Sequence, residues 1–343
     1  MEKRNVAIDD IKGISILLVV LGHTMTGCTV SSETSLLYNV IWSLQMPLFF
    51  LVSGYLTIYS KPLMTANDFN KYFKKRTLGY LIPFAVWTFV VRGLILKNYS
   101  FFNIKDLIFH MDNGYWFLFS LWTICIVYGF SSYISEKFSS QIAKSIANIF
   151  LYLIGMSALA AVALILGMSF LGLKFTLYYM PFFYAGVLFG KYKNNILQLK
   201  KGFKFIELFA ALSALIYFTL LIRFNTFYIS ENLIGILVRA IISLTGCCFI
   251  CFCVSKFNLN GLSNNFLKFI GQHSLEIYLI HYIFLSIFKT NPIFEFMSLK
   301  GFFVCAVNYT ITLAITIIIA FLLNTNRLLK FVLFGKKSEV SKP

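Results

Sequence analysis

Ten apolar stretches, at roughly 11–30, 36–58, 77–97, 115–134, 146–166, 175–190, 205–222, 233–254, 269–288 and 301–323, constrain this chain more than anything else in it. About twenty apolar residues wound into a helix cross the ~30 Å of hydrocarbon in a bilayer. Lipid offers a backbone no hydrogen-bond partner, so each stretch reads as a helix that satisfies its own N–H and C=O groups. The expected fold is all-α: a polytopic integral membrane helical bundle of about ten transmembrane helices. The weakest stretches are the first, interrupted by Lys12 and His23, and the sixth, which is short and holds Pro181. Composition agrees, because 59% of the 343 residues are hydrophobic and only 13% are charged, about half the charge of a soluble domain. A disordered chain is excluded by 39 Phe and 19 Tyr, too much apolar surface to stay solvated as a coil.

Charge supplies the topology. Thirty basic residues against 13 acidic ones give a formal net charge of +17, which in a soluble protein would point to nucleic acid. Here the N-terminal segment, the even-numbered loops and the C-terminal tail hold roughly 22 bases against roughly 7 in the odd-numbered loops, the bias that keeps basic loops in the cytoplasm. Both termini are therefore expected in the cytoplasm, with the spans in the cytoplasmic membrane, and no nucleic-acid partner is called for. The first stretch lacks a small-residue cleavage site and reads as a retained span. Without an internal repeat or a long polar segment, residues 1–330 read as one transmembrane domain and 331–343 as a basic cytoplasmic tail.

Polar groups inside spans are costly and face a cavity or a partner. The Cys247, Cys248, Cys251 and Cys253 group lies in an apolar helix without a second ligand pair, so it reads as packing, and no metal is expected. The first span is different. Lys12 and His23 are eleven residues apart, about 1100° of rotation and about 16 Å of rise, so they share one helix face. Asp9 lies one turn below Lys12 and would orient it. A cation at the cytoplasmic surface joined to an imidazole near mid-membrane suits a long ligand with an anionic head and a reactive tail, such as a coenzyme A thioester. His23 would then act as base on an incoming hydroxyl; the plainer reading is a hydrogen bond between helices. Lys74, Lys75 and Arg76 end the second loop, where they serve topology or hold phosphate. In the ninth span Ser274, Tyr278 and His281 form one polar stripe, and Glu276 is expected to pair with Arg239. Asp112, Tyr115 and Trp116, where the third outer loop enters the fourth span, would suit a sugar at the external mouth; interfacial anchoring accounts for such aromatics equally well.

These residues also spell a family pattern. The run Ile8-Asp9-Asp10-Ile11-Lys12-Gly13-Ile14 ending at Leu21-Gly22-His23 resembles the opening of the bacterial membrane-bound acyltransferase-3 family. Met46-Pro47-Leu48-Phe49-Phe50-Leu51-Val52-Ser53-Gly54-Tyr55-Leu56 is similar to its second-helix signature. Tyr115-Trp116-Phe117-Leu118, Pro181-Phe182-Phe183-Tyr184-Ala185-Gly186 and Ser274-Leu275-Glu276-Ile277-Tyr278-Leu279-Ile280-His281 resemble later ones, in order.

The resemblance implies an integral O-acyltransferase that takes an acyl group, usually acetyl from cytosolic acetyl-CoA, to a hydroxyl of a carbohydrate. The acceptor classes are surface polysaccharide, peptidoglycan and lipid-linked glycan. His23 matches the family's catalytic His, Lys12 its basic partner at the CoA end, and Arg76, with Lys75 next to it, the first Arg of an R-x-x-R; Asp9, one turn from Lys12, is counted with His23 among the expected catalytic residues. Tyr115, Trp116, Asp112, Tyr278 and His281 are the expected acceptor contacts. The second Arg of that motif falls at Gly79, and the His that often precedes M-P-L-F-F is Gln45. The competing expectation is a proton-coupled transporter or flippase using His23, Glu276 and His281 as a relay.

Overall fold

The computed structural model describes residues 6–111, 114–198, 202–256, 262–287 and 293–336. Among them the chain is helical: α1 (Val6–Cys28), α2 (Leu36–Tyr55), α3 (Ala66–Ala85), α4 (Ile104–Phe109), α5 (Trp116–Ser135), α6 (Gln141–Leu166), α7 (Leu173–Gln198), α8 (Gly202–Arg223), α9 (Leu233–Lys256), α10 (Leu262–Gln272), α11 (Ser274–Ile287), α12 (Leu299–Thr325) and α13 (Arg327–Phe334). Among the described residues seven segments are long and apolar enough to cross a membrane: α2, α3 with its continuation to Ile95, α5, α6, α8, α9 and α12. The other three expected spans fall on α1, which carries Asp9, Asp10 and Lys12, on α7 with its internal Pro181, and on α11, only 14 residues long.

The third span begins earlier than its hydropathy. Helix α3 starts at Ala66, so Lys71, Lys74, Lys75 and Arg76 stand on a helix and not in a loop as expected. Its start is fixed by a capping box: the Thr65 Oγ1 accepts from the Asp68 N–H at 3.1 Å, and the Asp68 carboxylate accepts from the Thr65 N–H at 3.1 Å. Both satisfy amides that the first helical turn leaves open. Pro83 lacks the N–H that would bond the Gly79 carbonyl, and beyond it the helix widens into a π-helical segment, Val86–Ile95.

The C-terminal segment packs against this stretch. Leu333 accepts a 2.8 Å bond from the Trp87 indole, Phe334 is fully buried and stacks on Trp87, and Gly335, at φ +63°, lies against the Gly79 carbonyl. A Cβ at Gly335 would collide with that carbonyl. The first residues of the expected basic tail are thus a docked helix end; 337–343 lie outside the described residues.

The chain divides into two compact units, one comprising 1–57 and 182–322, the other 58–181 and 323–343. In the first unit, close helix crossings explain glycines that the family-like motifs contain. A side chain at Gly54 would run into the Phe183 carbonyl, and one at Gly186 into that of Leu51, so α2 and α7 touch backbone to backbone. Helices α1 and α10 do the same through Gly13 and Gly271, against the carbonyls of Leu267 and Asp9. Such small-residue contacts bring helices together where hydrophobic force between them is absent. Asn39 on α2 binds the end of α8, donating to the Leu221 and Phe224 carbonyls (2.8 and 2.9 Å) and accepting from the Thr226 amide at 2.7 Å. Cys247 is buried in the apolar core with Leu44, Leu48 and Tyr217, the packing role expected of it.

Candidate functional site

The cytoplasm-facing end expected for α1 is a polar cluster. The Lys12 ammonium lies 3.5 Å from the Asp9 carboxylate, the i, i+3 pair the sequence proposes. Gln272, at the end of α10, donates to the other Asp9 oxygen at 3.3 Å. The close approach of Gly271 to the Asp9 backbone is what brings that amide within reach. Asp9 is buried, while Lys12 keeps part of its surface, so a buried carboxylate is set against a partly exposed cation.

Three turns along α1, Gly22 packs on Ile41 and Gln45 of α2, and His23 beside it is exposed. Helix α11 supplies its neighbours. The His281 ring centroid is 5.5 Å from that of His23, and Tyr282 meets His23 edge-on at 5.8 Å. His281 is only 2% exposed; its Nδ1 is 3.0 Å from the Ile277 carbonyl, and among the described residues its Nε2 has no hydrogen-bond partner. Tyr278 stands 6.0 Å from the His281 ring. The structure therefore brings His23, Tyr278 and His281 together across 258 residues of sequence (281 − 23). It adds Tyr282, which the sequence analysis missed because it lies one residue off the polar stripe.

The expected Glu276–Arg239 pair is corrected. Arg239 donates to the Ile229 carbonyl at 2.7 Å, and the fully buried Glu276 lies 3.5 Å from His273 Nδ1, one turn back on the same stretch. Local i, i+3 reach takes the carboxylate before a second helix does. Gln45, in place of the family's His, is buried with its Oε1 unpartnered among the described residues.

The remaining expected residues lie in the second unit. Lys74 and Lys75 are exposed on α3. Arg76 is half-buried; its Nη1 donates to the Tyr80 hydroxyl at 3.3 Å, and its guanidinium carbon sits 5.1 Å from the Tyr72 ring centroid. Tyr72 is anchored in turn by a 3.0 Å bond to the Cys125 carbonyl. Trp116 stacks on Phe175 and Tyr179 of α7 at 4.2 and 5.7 Å, and Tyr115 is buried against Trp87. The pair expected as an open aromatic shelf is thus largely taken up by packing. Asp112 lies outside the described residues. No cluster of three His, Cys, Asp or Glu able to hold a metal occurs among those described.

The nodulation protein NolL of Sinorhizobium fredii (strain NBRC 101917 / NGR234) is 28% identical over an alignment of 127 residues that covers 34% of this chain and 34% of that protein. The match thus spans about a third of the relative's length. No solved structure matches. The acyltransferase-3 family model, described as an acyltransferase domain, matches residues 5–325, nearly all of the helices above, and the chain belongs to that family.

Proposed function

We propose that this protein is a membrane-bound O-acyltransferase that moves an acetyl group from cytoplasmic acetyl-CoA to a hydroxyl of a cell-surface or lipid-linked carbohydrate. The observation that carries the reading is His23: an exposed imidazole, in a family acyltransferase, on the helix that presents the Asp9-held Lys12 at its other end. Eleven residues of α-helix separate a cation from a base by about 16 Å, which fits a donor with phosphates at one end and a thioester at the other.

His23 takes the proton of the acceptor hydroxyl as its oxygen attacks the thioester carbonyl. The tetrahedral intermediate collapses with cleavage of the C–S bond. The imidazolium returns its proton to the departing thiolate, leaving an ester and free coenzyme A. General-base help of this kind contributes about 10²–10⁴ in rate. Lys12 pairs with donor phosphate while Asp9 fixes its direction. Lys75 and Arg76 are assigned to the donor by the family pattern; of the expected acceptor contacts, Tyr278 and His281 belong to the His23 cluster, whereas Tyr115 and Trp116 are largely taken up by packing. Both termini and the donor's phosphates belong on the cytoplasmic face, by the positive-inside bias.

The test is acetyl-CoA-dependent ester formation on envelope glycan by wild type and His23→Ala. Loss of the ester in the variant is expected; unchanged ester content overturns the assignment. Stabilisation of the purified protein by coenzyme A separates this reading from a transporter, which has no reason to bind it.

A further inference from the structure

His281 carries a feature that acceptor contact does not explain. Its Nδ1 faces the Ile277 carbonyl at 3.0 Å. A carbonyl only accepts, so Nδ1 carries the hydrogen and Nε2 is left with a lone pair. That nitrogen is buried, on a side chain 2% exposed, and no described residue donates to it. A buried acceptor without a donor is costly and calls for a reason. The donor-bearing ring beside it is His23, 5.5 Å away between centroids and tilted by 35°. Two imidazoles joined by one N–H···N bond of about 2.9 Å stand roughly 5.2 Å apart. The observed spacing is a few tenths of an ångström more, and the two rings as they stand make no N–H···N bond; turning the exposed His23 ring about its terminal χ, a soft torsion, is the adjustment the bond requires. Among the described residues the other rings recorded near His281 are Tyr278 at 6.0 Å and Tyr282 at 6.4 Å, both on its own helix.

We propose that His281 is the positioning residue of the transfer reaction: its Nε2 accepts a hydrogen bond from one ring N–H of His23. This fixes the tautomer of His23, leaves its other nitrogen free to take the hydroxyl's proton, and stabilises the imidazolium once formed. No bond to carbon involves His281, and it neither gains nor loses a proton. The role parallels that of the carboxylate in a Ser-His-Asp arrangement, with a neutral ring bonded to Ile277 as the acceptor. The inference rests on the reading of His23 as base.

Two variants separate acceptance from packing. Asparagine places its amide where Nδ1 stands, so His281→Asn keeps the bond to Ile277 and loses the acceptor. His281→Gln reaches the Nε2 position with an amide oxygen. Steady-state transfer from acetyl-CoA is measured across pH for both variants and for His23→Ala in membranes. His281→Asn is expected to lower kcat by about 10- to 100-fold with the acetyl-CoA KM kept, the scale of losing a hydrogen bond to a charged group. The acidic limb of its kcat/KM profile should move about 1–2 pH units lower, because an unsupported imidazolium forms only at lower pH. His281→Gln should recover both within about fivefold and half a unit. Asn and Gln variants that both match wild type, or that are equally slow with the limb unmoved, overturn the role of His281 while an inactive His23→Ala leaves the base assignment standing. An active His23→Ala removes the base itself and this inference with it.

Discussion

The His23 neighbourhood and the Trp116 neighbourhood are both clusters of rings in a helical unit, and they spend those rings in opposite ways. Around Trp116 the rings are committed to one another: Trp116 stacks on Phe175 and Tyr179, Tyr115 is buried on Trp87, and the Trp87 N–H is given to Leu333. Around His23 the rings stand 5.5–5.8 Å apart, one imidazole is exposed, and the other has a nitrogen that no described residue bonds. Stacking converts aromatic area into stability; chemistry needs valence left over and a path for a substrate. The Trp116 rings are spent on packing, whereas the His23 rings keep the valence that the proposed chemistry needs.

Four substitutions press on that contrast. His23→Ala should carry the largest effect, a fall of about 10²–10⁴ in transfer rate with the thermal midpoint nearly unchanged, since an exposed ring contributes little packing; rate and melting are read on the same preparation. Trp116→Ala should show the mirror image. Truncating a stacked indole costs about 3–5 kcal/mol of stability, with the rate per folded molecule retained. A raised acceptor KM in this variant would instead place Trp116 at the sugar. Arg76→Lys gives up a planar group from its place over Tyr72, worth about 0.5–2 kcal/mol, and should raise the acetyl-CoA KM up to roughly tenfold. Asp9→Asn should be smallest, a change in acetyl-CoA KM below about fivefold, because Gln272 still holds the side chain and part-exposed ion pairs are weak; a large loss of kcat there would move the catalytic centre toward Lys12.

The α1 elements of this site were legible because they are local. Asp9, Lys12 and His23 fall on one helix, so rise and rotation per residue place them, and the 3.5 Å Asp9–Lys12 contact follows. His281 was legible as a polar residue in a span and illegible as a neighbour of His23, because no helix period connects positions 23 and 281. Glu276 was misassigned for the converse reason, when a partner on another helix was preferred to His273 three residues away. The early start of α3 escaped a reading tuned to hydropathy, since its first turns are polar. Thr65-Ala66-Asn67-Asp68 nevertheless spells the capping box that begins it. Stacking of Trp116 on α7 depends on tertiary packing, which hydropathy leaves open.

The contact between Gly335 and Gly79 bears on how the protein is made. Helix α3 leaves the ribosome long before α13, so the Gly79 carbonyl, deprived of its helical partner by Pro83, enters the membrane without the Gly335 that later packs on it. The Trp87 indole waits in the same way for Leu333. Closure of the second unit therefore waits for α13 to be made, and a bulky insertion directly after Gly335 would oppose it.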